Sequence, residues 1–332
     1  MKKQHIISAI IIIALLALGG FKYYTYTHPK ELGIEPVVEK TIDSPKADGT
    51  SVSTNSPVSA PVSKQPTLVR VDAPINGTYK GVIEVGASGF NAFVVNMDKD
   101  KNWELVAKEF GASLAYEGFA TTDDVYSQMK KYISIITDKG VAGRNIHFVI
   151  SSGALKNPKI NLIADAIKQK GFVVNKVDAD QEGKYALKAS LPKAYRSTGY
   201  SVDMGSGNTK INWYEGDKMK TIELPGAKYY QDGKTDPDVY AQVKAAAVKI
   251  PEANRKYCFI IGGVPYSLAK QVRANNERFT QLSNPDEYSA GDDVKIKSGL
   301  NIYRAIVDAT QTDSFIFDWD ANFTIGFLMT LN

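Results

Sequence analysis

Apolar and polar residues alternate along two stretches of this chain, and each alternation breaks at a turn of small residues. In Gly81 to Asp98 (GVIEVGASGFNAFVVNMD), the runs Val82 to Val85 and Phe90 to Met97 flank Gly86-Ala87-Ser88-Gly89. In Tyr200 to Glu215 (YSVDMGSGNTKINWYE), Tyr200, Val202 and Met204 lead into Gly205-Ser206-Gly207-Asn208-Thr209, and Ile211 to Tyr214 returns. Period-two patterning marks strands, and a glycine-rich turn between two of them predicts a β-hairpin. An acid precedes each turn, Glu84 in the first and Asp203 in the second. Backbone N–H groups of such a turn can approach a phosphate, and the acid can hold a metal or a water. An ordinary hairpin could carry the same letters. The recurrence of acid-x-Gly followed by small residues is what sets the pair apart.

Between the hairpins, Asp123 to Lys139 places Val125, Met129, Ile133 and Ile136 near helical spacing, with Asp123 or Thr122 as N-cap. Ile146 to Ile150 reads as a buried strand ending in Ser151-Ser152-Gly153, Asn161 to Lys170 as an amphipathic helix, and Phe172 to Val177 as a strand. That strand runs into Asp178-Ala179-Asp180-Gln181-Glu182-Gly183, which reads as an acidic loop ahead of Tyr185 to Ala189. Beyond the second hairpin, Met219 to Leu224 predicts a third strand and Asp238 to Lys249 a helix. Tyr257 to Ile261 predicts a buried strand ending in Gly262-Gly263, with a helix starting near Tyr266. Gly299 to Ala309 predicts a helix, Ser314 to Phe317 a strand, and Asn322 to Leu331 a closing apolar segment. Strands alternating with helices in both halves imply an α/β architecture.

The amino terminus follows different rules. Lys2 and Lys3 precede an uncharged apolar run, Ile6 to Phe21, followed by Lys22 and the tyrosines Tyr23, Tyr24 and Tyr26. A basic flank, an apolar run and interfacial tyrosines predict a signal-anchor over 1–22, although a spanning helix usually wants roughly 20 apolar residues. A cleavable signal peptide competes, since Ala17-Leu18-Gly19 offers small residues near the right place. The region 23–75 is expected to be a flexible Ser/Thr/Pro-rich tether, because Pro45, Pro57, Pro61 and Pro66 block helix and interior strand. Two folded domains are then expected over 76–198 and 199–332. The anchored reading puts them outside the cell membrane on a single-pass stem.

Composition narrows the chemistry. A net charge of +4 over 332 residues is too mild to suggest nucleic acid as a partner. The single cysteine, Cys258, lies in an apolar run and reads as a core residue. Of the three histidines only His147 falls in the folded part, so histidine catalysis and clustered zinc sites are not expected.

Taken in order, these motifs resemble the actin-like ATPase superfamily, and within it the exopolyphosphatase and guanosine pentaphosphate phosphohydrolase family. Glu84-Val85-Gly86-Ala87-Ser88-Gly89 is similar to the family's first phosphate motif, D-x-G-S-N-S. Asp203 to Lys210 is similar to its second, D-x-G-G-G-S-T-E. Ser151 to Lys156, Asp178 to Gly183, Ile261 to Val264 and Asn322 to Leu328 stand in the order of the family's intervening and terminal motifs. The resemblance implies two ribonuclease-H-like domains around a cleft, with the glycine hairpins facing each other across it. It implies Glu182 as general base and Asp203 as the acid supporting metal and water. Phosphate would be held by Gly86, Ala87, Ser88, Gly89, Lys156, Gly205, Ser206, Gly207, Asn208, Thr209, Lys210, Gly262 and Gly263, and Mg²⁺ or Mn²⁺ by Glu84 and Asp203. The implied partners are polyphosphate or a phosphorylated nucleotide, the membrane through the N-terminal segment, and a second copy in a homodimer.

The chain also departs from the family pattern. Glu84 stands for an aspartate, Ser206 and Asn208 for a glycine and a serine, Lys156 for an arginine, Lys210 for a glutamate and Thr324 for an arginine. Two functions are therefore expected in competition. One is a membrane-anchored phosphohydrolase releasing phosphate by metal-assisted water attack. The other is a catalytically degenerate sensor or assembly protein that binds phosphate or nucleotide in the same fold.

Overall fold

The first half builds a sheet from β1 (Thr78–Gly86), β2 (Gly89–Met97), β3 (Trp103–Phe110), β4 (Ile146–Ile150) and β5 (Val173–Lys176), in the order β3-β2-β1-β4-β5. β1, β2 and β3 pair antiparallel, while β4 pairs parallel to β1 and β5 parallel to β4. The second half repeats that order with β6 (Gly199–Met204), β7 (Asn208–Glu215), β8 (Lys218–Pro225), β9 (Tyr257–Gly262) and β11 (Ser314–Asp318). It adds a short antiparallel edge strand, β10 (Phe279–Gln281). Helices α1 (Thr122–Thr137), α2 (Ile160–Gln169), α3 (Ala179–Ser190), α4 (Asp236–Ala247), α5 (Gly263–Val272), α6 (Val294–Thr310) and α7 (Phe323–Leu328) complete the mixed α/β fold. This computed structural model describes residues 69–86, 89–111 and 121–331, all within one compact unit. The expected anchor and almost all of the expected tether lie outside the described residues. Among the described residues no helix is long and apolar enough to cross a membrane.

Both faces of the central strands are buried, so their apolar residues run nearly without interruption, as in β2. Ile83, Val85 and Phe90 pack against Met129 and Ile136 of α1 and Ile163 and Ile167 of α2. The opposite face of the same sheet, with Val82, Phe93 and Val95, meets Ala186 of α3 and Phe323, Ile325 and Leu328 of α7. Leu187 of α3 and Leu191 just past its end also pack on Phe259 and Ile316 of the second sheet. Helices α3 and α7 are thus the layer through which the two sheets meet. They touch so closely that a Cβ on Gly326 would lie 1.9 Å from the Tyr185 carbonyl oxygen, a position only glycine can fill.

The predicted hairpins and most predicted strands form at their expected places. The acidic stretch after β5 is not a loop. Asp178 caps α3 by accepting from the Gln181 N–H at 2.8 Å, and the Gln181 side chain accepts from the Asp178 N–H at 3.1 Å. This reciprocal capping box starts a helix where the charge pattern reads as connection. Asp180 and Lys184 form an exposed i,i+4 pair, whereas Glu182 turns inward and is 5% exposed. Thr121, one residue ahead of the expected caps, caps α1. Helix α5 begins at Gly263 rather than near Tyr266, and α6 begins at Val294 rather than near Gly299. Strands β3 and β10 are additions to the sequence expectation. Cys258 is buried in the second core, and burial pushes its thiol well up, in keeping with a packing role.

Candidate functional site

Each hairpin sets its acid against one residue across the ladder. In the first, Gly86 pairs with Gly89 and Glu84 with Asn91. In the second, the Gly205 N–H donates to the Asn208 carbonyl at 2.9 Å, and Asp203 pairs with Lys210. Directly opposed residues point to the same face, so Glu84 meets an amide and Asp203 meets an ammonium. Both turns open onto a single cavity of about 420 Å³. Gly86 and Gly89 line it from the first hairpin, Gly205, Ser206, Gly207 and Asn208 from the second, and Gly262 and Gly263 from the end of β9. Gly262 sits at φ 117°, and a Cβ there would lie 2.2 Å from the Met204 carbonyl oxygen, so the close passage of β9 past β6 requires glycine.

Four carboxylates line this cavity: Glu84, Glu182 and Asp203 on the hairpin side, and Asp318. The Glu84 Oε2 accepts from the Asn91 and Asn322 amides, each at 3.0 Å. Burial pushes Glu84 up to about 7; Glu182 and Asp203 add to the rise, and the two amides oppose it. Glu182 reaches in from the first turn of α3. Its Oε1 accepts from the Lys210 Nζ at 2.5 Å and its Oε2 from the Ser152 N–H at 2.8 Å. Lys210 is 1% exposed, and its Nζ also lies 3.9 Å from the Asp203 Oδ2. Asp203 is pushed up to about 6 by burial and by Glu182, with Lys210 pulling the other way. Asn208 donates to the Ser152 Oγ at 3.0 Å and to Glu223 at 2.7 Å, which ties the second turn to the end of β4.

The other predicted site residues fall in different places. Lys156 is exposed on the short turn Ala154–Lys156 after β4 and does not line the cleft, so it makes no phosphate clamp there. Thr209 is fully buried in β7 with its Oγ1 unpartnered, because alternation turns it away from Asp203 and Lys210. Lys210 faces carboxylates rather than the cavity. Ala87 and Ser88 lie outside the described residues. The cleft also holds groups to which the sequence patterns give no site role. Asn91 and Asn322 hold Glu84, Ser152 holds Glu182, and Tyr266, Phe317 and Trp319 form an aromatic wall. Lys295 lines the cavity from the first turn of α6, and its Nζ lies 3.3 Å from where a Gly263 Cβ would stand. Burial and the nearby Lys228 lower its pKa, and Asp293 opposes them. Asp318, also in the wall, is held by Arg278 through two hydrogen bonds of 3.0 Å.

These residues do not fit the expected Mg²⁺ or Mn²⁺. Among the described residues no three His, Cys, Asp or Glu side chains are grouped to hold a metal ion. Glu84 is engaged by two amides, and the Lys210 ammonium stands between Glu182 and Asp203, where a divalent cation would bring its charge.

The repeated strand order and facing hairpins define a two-sheet α/β fold closed around a cleft, and solved structures share it. The Ppx/GppA phosphatase of Aquifex aeolicus superposes with a TM-score of 0.55 at 16% identity, over 76% of this chain and 99% of that one. An exopolyphosphatase from Cytophaga hutchinsonii gives a TM-score of 0.57 at 16% identity, over 76% and 97%. An exopolyphosphatase-like protein gives 0.54 at 12% identity, over 76% and 98%. No family model matches the sequence, and no curated protein is significantly similar to it. The fold is therefore that of the Ppx/GppA exopolyphosphatases, as the motif resemblance implies, and at these identities the likeness establishes the fold alone.

Proposed function

We propose that the cleft binds the phosphate groups of a phosphoanhydride, either polyphosphate or a phosphorylated nucleotide, and holds them without hydrolysing them. The shared fold supports a phosphohydrolase type of site. The Glu182–Lys210 pair supports binding without turnover. A general base must turn an open lone pair toward water, and each donor already on the carboxylate takes one of its few acceptor positions. One Glu182 oxygen is engaged by an ammonium at 2.5 Å and the other by a backbone N–H at 2.8 Å. Within this reading, 1–22 anchors the chain in a membrane and 23–75 tethers the cleft outside it, which suits a sensor or assembly protein.

The hydrolytic reading keeps one observation in its favour, since Glu182 and Asp203 line the same cavity. Incubating the purified full chain with polyphosphate, tripolyphosphate or ATP, with and without Mg²⁺, separates the two. The expected result is a rise in melting temperature without release of phosphate. Phosphate release that disappears in Glu182→Gln would establish the hydrolase instead.

A further inference from the structure

We infer that phosphate binding in this cleft needs no divalent cation, because Lys210 cancels the charge of Glu182 from within the fold and Lys295 supplies the cation that meets the ligand. This rests on the reading of the cleft as a phosphate site.

An anion cannot approach a floor of carboxylates unless positive charge is placed among them, and metal-dependent phosphate sites use a divalent ion for that purpose. Here the charge is part of the chain. Lys210 neutralises Glu182 at 2.5 Å and lies 3.9 Å from Asp203, while Arg278 neutralises Asp318 at 3.0 Å. Glu84 faces the amides of Asn91 and Asn322 rather than a second acid at contact distance. Lys210 is 1% exposed and bonded to Glu182, so its role is to remove negative charge from the floor, not to touch the ligand.

Lys295 differs from it. It lines the cavity beside Gly263, and no hydrogen bond or ion pair involving its side chain is found among the described residues. Lys228, next to the second turn through its N–H bond to the Ser206 carbonyl at 2.9 Å, adds positive charge near Lys295. Ser206 and Gly207 lie beyond the last rung of the hairpin ladder, and the uncapped first turn of α5 at Gly262 and Gly263 faces the same cavity. Lys295, the residues of the second turn and a helix start line one ligand-sized space, with the charge of Lys228 close by.

The experiment is calorimetric titration of tripolyphosphate into the full chain, in EDTA and in Mg²⁺. Binding in EDTA at least as tight as in Mg²⁺ supports the inference, with Lys295→Ala expected to weaken it by about tenfold. Lys210→Met should also weaken binding by about tenfold, and Lys210→Met with Glu182→Gln should restore it, since the double change returns the Glu182–Asp203–Lys210 group to the net charge of the parent. Binding seen only with Mg²⁺ overturns the inference and leaves the proposed function standing. No binding in either condition overturns the proposed function itself. Affinity unchanged in Lys295→Ala removes Lys295 from the site. A double variant that folds but stays as weak as Lys210→Met removes the charge-cancelling role. If Lys210→Met does not fold, the comparison of EDTA with Mg²⁺ and the Lys295→Ala titration still decide the matter.

Discussion

The two hairpins have matching geometry and opposite electrostatics. Glu84 and Asp203 occupy equivalent places, each two residues ahead of a glycine that closes the turn. Across the ladder from Glu84 stands the neutral Asn91, and across from Asp203 stands Lys210. Burial pushes both carboxyls up, Glu84 to about 7 and Asp203 to about 6, and what opposes the rise is a pair of amides at the first and the lysine 3.9 Å away at the second. The fold therefore repeats a shape, and the side chains decide which copy is charged. The second copy carries the buried ion pair.

The largest expected effect comes from breaking that pair. Lys210→Met leaves Glu182 buried beside no cation and should cost about 3–5 kcal/mol in chemical denaturation. Adding Glu182→Gln should recover most of the loss. A Lys210→Met protein as stable as the parent would mean that the second hairpin is no more dependent on charge than the first.

The next effect is one of pH. Glu84 takes up a proton more readily in the folded chain than in the unfolded one, so its contribution to stability is complete below about 4.5 and is lost as the pH rises through about 7. Glu84→Gln keeps the amide contacts and removes this loss. It should be more stable than the parent by on the order of 2 kcal/mol at pH 8.5 and equal to it near pH 4. Denaturation curves at the two pH values check this, and parallel curves for parent and variant would refute it.

Converting one hairpin into the other gives a third test. Asn91→Lys places an ammonium opposite Glu84, and should bring its carboxyl down by about one unit, as followed by carboxyl NMR. The smallest effect is expected from Asn208→Ala, which removes the second hairpin's bonds to Ser152 and Glu223, at about 1 kcal/mol.

Much of this arrangement is legible in the sequence because it is local. The hairpins, β4, β9 and β11 show in period-two or continuous apolar runs, and the acids and glycines of the turns can be placed by counting. Strand β3 escapes because it is a sheet edge carrying Glu104, Lys108 and Glu109, with only Trp103 fully buried, so its pattern is weak. The start of α3 is hidden by acids that read as solvent-facing. The signal that could have found it is Asp178 three residues before Gln181. The Lys210–Glu182 contact joins β7 to α3 across the molecule, and nothing in the spacing of either residue announces it. Lys295 stays hidden for a simpler reason, since α6 extends upstream of its apolar face to an Asp293 cap.

The placement of α7 also sets an order for biosynthesis. Phe323, Ile325 and Leu328 fill the core that the first sheet shares with α3, yet they are translated after all the strands of both sheets. Until α7 is made, Val82, Phe93 and Val95 have only part of their cover on that side, from α3. The core of the first sheet is therefore completed only after α7 is synthesised, long after the strands it covers.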